Sequence, residues 1–130
     1  MKKLLMLTSI LLGVASYAQS DIPVQNISTD DNVRFRLFDT RNTWTFLKLD
    51  TATGGIWQVQ WSLEGSSYRY ETLLSDTDLT PYEEDLQPGR FFLYPTSNIY
   101  NFVLLDQVDG RTWQVQWSLE EENRMVTRIY

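Results

Sequence analysis

An all-β fold made of two tandem four-stranded antiparallel units is predicted by three features of this 130-residue chain. The first is an internal repeat. Displacing the chain by 56 residues aligns positions 34–64 with 90–120 without a gap, and 17 of those 31 positions are identical. The second is a series of short aromatic and β-branched runs, broken by turn residues at roughly 10-residue spacing. The third is the octapeptide WQVQWSLE at 57–64, spelled again at 113–120. Its alternation places tryptophan and valine on one side of a strand and glutamine on the other.

The runs predict strands at 33–38, 43–50, 55–62 and 67–74, then at 90–94, 99–106, 111–118 and 123–129. Repeat 1 (33–74), a linker (75–89) and repeat 2 (90–130) together form a single β domain. The linker reads as one short helix: Thr80 caps, Pro81 takes the first helical position, Glu83 completes a capping box, and Pro88-Gly89 ends it. Two such units pack as a sandwich, through a pseudo-twofold, or close into a small barrel.

Ahead of the repeats, Lys2 and Lys3, an apolar run from Leu4 to Val14 and the small-x-small triplet Ser16-Tyr17-Ala18 predict a secretory signal peptide, residues 1–18. The apolar run is too short for a stable membrane span. Residues 19–32 read as a polar, loose leader. The expectation is an exported protein, in the periplasm or outside the cell, with no membrane insertion in its mature form. There is no cysteine, so stability must come from an apolar core. Cleavage would leave nine basic against seventeen acidic residues, a net charge of −8 that argues against nucleic acid as a partner.

The second and third runs of each repeat form a hairpin whose register follows from the turns LDTATGG and LDQVDGR. Asp50 and Asp106 accept backbone N–H bonds there, while Gly54 and Gly110 take the positive φ. Pairing Asp50 with Gly55 then sets Leu49–Ile56, Lys48–Trp57, Phe46–Val59 and Trp44–Trp61. The second copy sets Leu104–Trp113, Phe102–Val115 and Tyr100–Trp117. One face carries Trp44, Phe46, Trp57, Val59 and Trp61, matched by Tyr100, Phe102, Trp113, Val115 and Trp117. This face is predicted to be core in both repeats, because leaving five tryptophans in water would forgo about 1.5–3 kcal/mol each. The opposite face is mixed rather than polar: it carries Thr45, Leu47, Leu49, Gln58, Gln60 and Ser62, with Asn101, Val103, Leu105, Gln114, Gln116 and Ser118. Thr45, Gln58, Gln60, Ser62, Asn101, Gln114 and Gln116 are the candidate ligand face, suited to sugar hydroxyls or peptide backbone, with Phe38, Tyr94, Tyr68 and Tyr70 as stacking surfaces at its edges.

Catalytic chemistry finds little purchase. Histidine is absent, and Lys48 is the only lysine beyond the signal peptide. Glu64 and Glu120 recur, but each follows a strand in a solvated turn. Asp106 and Asp109 lack the further oxygen ligands that calcium needs. The acidic stretch 76–85 reads as solvated linker. No cofactor, metal or catalytic residue is expected.

LDTATG followed by Trp57 resembles the turn of quinoprotein-type β-propeller blades, although the tryptophan comes one residue earlier and two units fall short of the four or more blades of a propeller. A broader resemblance is to small exported repeat proteins of the Bacteroidota, of the pattern RFxLxxTxNxWTFLxLDTxTGxxWQVQWS. Arg34, Phe35, Leu37, Thr40, Asn42, Trp44, Leu49, Asp50, Gly54, Trp57 and Trp61 match it in copy one. Copy two departs at Tyr100, Gln107 and Asp109. The resemblance implies export and a repeat architecture, and no activity. The functional expectation is a non-enzymatic binding module for a protein or glycan. The alternatives are a small inhibitor or accessory subunit of an envelope or secreted enzyme, and a carbohydrate-binding module.

Overall fold

The computed structural model describes residue 30 and residues 32–130. The expected signal peptide and most of the leader lie outside the described residues. Eight strands follow in chain order: β1 (Phe35–Asp39), β2 (Thr45–Asp50), β3 (Ile56–Gln60), β4 (Tyr70–Ser75), β5 (Phe91–Pro95), β6 (Asn101–Asp106), β7 (Thr112–Gln116) and β8 (Met125–Ile129). They form two four-stranded antiparallel sheets, β1-β2-β3-β4 and β5-β6-β7-β8, each an up-and-down meander. Among the described residues the two sheets do not close into a barrel.

The turn chemistry sets the register as predicted. The Asp50 N–H donates to the Gly55 carbonyl at 2.8 Å, and the Gly54 N–H to the Asp50 carbonyl at 2.9 Å; Asp106, Arg111 and Gly110 repeat the arrangement. Gly54 and Gly110 sit at φ 86° and 83°, where a side chain would be strained. Leu49 then pairs Ile56, Lys48 pairs Trp57 and Phe46 pairs Val59, with Leu104–Trp113 and Phe102–Val115 in the second sheet. Each sheet therefore has a tryptophan face and a glutamine face.

How the two sheets meet differs from the expectation of like faces packed together. One core joins Phe38, Leu47, Leu49 and Ile56, from the glutamine face of the first sheet, to Phe91, Leu93, Phe102, Leu104, Trp113, Val115 and Trp117, from the tryptophan face of the second. Strand β5 lies against β2 and β8 against β4. Gln58 is fully buried at this seam. Its amide donates to the Ser118 carbonyl and its oxygen accepts the Ser118 N–H, both at 3.1 Å. At the overhanging edge, Phe38 meets Phe92 edge-on at 5.1 Å.

The predicted linker helix is absent; the helical turns among the described residues are 3-10 turns at Ser66–Tyr68 and Glu121–Asn123. Glu83 takes φ 70°, a left-handed value that no right-handed helix can propagate through. The Thr80 hydroxyl, expected to cap, instead donates to the Ala52 carbonyl at 3.1 Å. The Leu79 N–H donates to the Thr53 carbonyl at 2.8 Å, which lays Leu79 over Gly54. The linker is thus tied to the β2–β3 turn at Leu79 and Thr80. Among the described residues, no helix is long and apolar enough to cross a membrane.

Candidate functional site

Because opposite faces meet, the tryptophan face of the first sheet is left outside. Phe35 and Leu37 are each 51% exposed, whereas their repeat-2 counterparts Phe91 and Leu93 are fully buried. Trp61 is 38% exposed and Trp117 is buried. Trp44 and Leu73 are exposed beside them, and Trp57, Phe46 and Val59 are half-buried. The prediction of Trp44, Phe46, Trp57, Val59 and Trp61 as core is corrected accordingly, since no second layer covers them among the described residues. Phe102, Trp113, Val115 and Trp117 are buried; Tyr100 is exposed, at the open end of its sheet.

The exposed face has an internal order. Trp44 and Trp61 contact at 4.8 Å between ring centroids, as Tyr100 and Trp117 do at 4.9 Å. The Trp61 indole N–H donates to the Thr43 carbonyl and that of Trp117 to the Ile99 carbonyl, both at 2.7 Å. Both indole donors therefore hold their own hairpins, and what Trp61 offers to solvent is its apolar ring. Lys48 pairs with Glu71 at the centre of the face, and its ammonium lies 5.2 Å from the Trp57 ring centroid.

The glutamine face is divided by the same asymmetry. Gln58 and Thr45 are buried between the sheets, which corrects their assignment as ligand contacts. The Thr45 hydroxyl donates to Gln60 Oε1 at 2.8 Å. Gln114 Nε2 donates to Asn101 Oδ1 at 2.8 Å, and Gln116 Nε2 to the Asn123 carbonyl at 2.7 Å. Ser62 Oγ accepts the Glu64 N–H at 2.8 Å. Two clefts open at the same end of the molecule. One, of about 330 Å³, is lined by Trp44, Gln60, Trp61, Ser62, Glu64, Tyr68, Tyr70 and Leu119. The other, of about 390 Å³, brings Asn101 and Gln116 together with Tyr100, Trp117 and Glu120. Glu64 and Glu120 thus line different clefts, rather than facing each other as a carboxylate pair.

The recurrent aspartates belong to turns. Asp50 accepts the Ala52 N–H at 2.9 Å and a forked pair of bonds from Arg34 at 2.9 and 3.0 Å. Burial alone would raise the Asp50 carboxyl, but those bonds and the Arg34 charge outweigh it and hold the group below its ordinary value. Asp106, fully buried, accepts from Arg90 at 2.9 Å and from Arg111 at 2.9 Å. Asp109 is likewise lowered, burial being outweighed by the N–H and side chain of Arg111. Among the described residues, no group of three or more acidic, histidine or cysteine side chains is placed to hold a metal ion. Arg34 and Arg90 are the partners that sequence reasoning missed; the signal was an identical arginine 16 residues before each turn aspartate. Phe35, Leu37 and Leu73 were missed as surface, although their repeat carries a mark: Lys48 and Glu71 stand on that face where repeat 2 has Leu104 and Val126.

Comparison of the chain with protein-family models, with curated proteins and with solved structures finds no match in any of the three.

Proposed function

We propose that this protein is an exported, non-enzymatic binding module that holds a protein partner on the tryptophan face of its first sheet. The observation that carries the reading is that Phe35, Leu37, Trp44, Trp61 and Leu73 are all exposed on one side of a single sheet, around the Lys48–Glu71 pair. Isolated apolar residues are ordinary on a surface, but a patch of this kind marks an interaction site. Aromatic residues are also the type enriched at protein interfaces. Covering such side chains would stabilise a complex by about 1.5–3 kcal/mol each before the costs of association. An inhibitor or accessory subunit would use the same face against its target.

The first cleft favours a second reading, a carbohydrate-binding module. There the rings of Trp44, Trp61, Tyr68 and Tyr70 stand beside the polar groups of Gln60, Ser62 and Glu64, a mixture of stacking surface and hydrogen-bonding groups that suits a sugar. A photo-crosslinking residue at position 37, introduced in the producing cell, separates the two readings when combined with a glycan array on the purified protein. Protein adducts at position 37 that vanish on Leu73→Glu are expected. Absence of adducts, together with glycan binding lost in Tyr68→Ala, would replace the first reading by the second.

A further inference from the structure

We propose that the partner is a second copy of this chain, whose second sheet lays its outer glutamine face on the tryptophan face of the first sheet. The proposal rests on the reading of that face as a protein-binding surface and names what covers it.

The interface that joins the two sheets within one molecule supplies the template. It pairs a glutamine face with a tryptophan face, and each of these surfaces occurs twice in the chain because the repeats are one unit. One copy of each is consumed inside the molecule, and one of each is left at its two ends. A twofold would have matched like with like and closed the set. The observed pairing is heterologous, and such a pairing propagates from molecule to molecule.

The free end of the second sheet keeps the character of its buried counterpart. Its outer face runs through Tyr94, Val103, Leu105, Gln114, Met125 and Ile129, and no residue on that face from β5 to β8 is charged. A solvated sheet face in a chain with 22% charged residues would not be expected to exclude them altogether. Val103 and Leu105 stand where Leu47 and Leu49 are buried in the first sheet, and Gln114 stands where Gln58 is. The Ser118 carbonyl accepts from Arg124 at 2.8 Å and also from Gln58. The Ser62 carbonyl accepts from Arg69 at 3.2 Å in the same way, leaving the Gln58-like bond to be made by Gln114 of another copy. Arg34 fits the same picture: its side chain is 45% exposed where Arg90, under its neighbouring repeat, is 2% exposed.

One substitution weakens the intermolecular version. Lys48 and Glu71 occupy the first-sheet places of Leu104 and Val126, so association encloses an ion pair where the internal interface encloses two apolar side chains. The contact between molecules is therefore looser than the contact within one. Two copies would bring together four sheets, the smallest number from which radial repetition of four-stranded sheets is usually built.

Sedimentation velocity on the purified full chain, with circular dichroism to verify folding, tests the arrangement. The wild type should move from monomer to larger species as concentration rises. Leu37→Glu and Val103→Glu, which spoil opposite faces, should each be monomeric alone and should form a one-to-one dimer when mixed. Lys48→Leu with Glu71→Val should associate at least tenfold more tightly than wild type. A wild type that stays monomeric at millimolar concentration overturns the proposal, as does a Val103→Glu variant that still dimerises with itself. Should either glutamate variant fail to fold, the wild type and the Lys48→Leu/Glu71→Val variant still decide. A monomeric wild type whose position 37 crosslinks to a different protein overturns self-association and leaves the binding face standing. A monomer with no adduct at all overturns both.

Discussion

Trp61 and Trp117 hold the same place in two copies of the same octapeptide, and each gives its indole N–H to a carbonyl of its own hairpin. One ring is 38% exposed and the other has no exposure. The local sequence, register and hydrogen bonding are shared, so none of them accounts for the difference. What differs is the neighbour: the tryptophan face of repeat 2 is covered by repeat 1, and the tryptophan face of repeat 1 by no second layer among the described residues. The glutamine faces show the inverse, with Gln58 buried and Gln114 half-buried on the outside. The lesson is that amphipathic pattern marks a surface able to be buried. The order of the layers decides which copy is.

Paired substitutions at equivalent positions turn that comparison into measurements. The largest contrast is expected at the tryptophans. Trp117→Ala should cost about 3–5 kcal/mol of unfolding free energy in urea, because it opens a cavity in the core. Trp61→Ala should cost roughly 1–2 kcal/mol, since much of its ring is already in water. Equal losses would mean that the two faces are equally covered, and the asymmetry would be lost.

Next come the arginines. Arg90→Met leaves the buried Asp106 with Arg111 as its remaining arginine, at a cost of about 3 kcal/mol. Arg34→Met, on the solvent side, should shift the urea midpoint only slightly. A smaller difference belongs to the glutamines. Gln58→Ala strands the Ser118 N–H in the seam and should cost about 1–3 kcal/mol. Gln114→Ala should stay within about 0.5 kcal/mol for the monomer. Similar losses at 58 and 114 would show that the second sheet's outer face is also packed.

The smallest effect near neutrality concerns acid, and it rests on two carboxylates at different places in their turns. Asp50 in repeat 1 and Asp109 in repeat 2 both have lowered folded-state values. Each contributes stability that is fully present above the unfolded carboxylate pKa of about 3.9 and is lost as pH falls through the lower folded value. The urea midpoint should therefore fall between pH 4 and pH 2, and fall less in the Asp50→Asn/Asp109→Asn variant. An identical decline in wild type and variant would assign the acid sensitivity to other groups.

Much of the fold was legible in the residues themselves. The 56-residue offset announced two equal units. Asp50-Gly54 and Asp106-Gly110 specified hairpins, because a carboxylate that collects turn N–H groups and a glycine at positive φ leave little choice of register. Once register was set, the alternation in WQVQWSLE placed Trp57, Trp61, Trp113 and Trp117 on one face of their sheets, and pairing with Trp61 added Trp44, as the structure has it. The linker helix was not legible correctly, because the capping pattern at Thr80 is a local preference. It yielded to hydrogen bonds that Thr80 and Leu79 make with Ala52 and Thr53, more than 20 residues away in sequence. The candidate site was misassigned for a related reason. Parity shows that two faces differ and is silent on which one meets another sheet.

What the sequence determined alone is therefore the unit: its four strands, the turn and register of its central hairpin, and its two chemically distinct faces. These follow from interactions within a few residues or between adjacent strands. What only the tertiary structure decided is the stacking of the units, opposite face to opposite face, and with it the exposure of Phe35, Leu37 and Trp61 and the burial of Phe91, Leu93 and Trp117. The shared octapeptide does not encode that difference; Lys48 and Glu71, in the places of Leu104 and Val126, mark the tryptophan face of repeat 1 as the one left to solvent. The difference in exposure arises because a heterologous stack of two has two unlike ends.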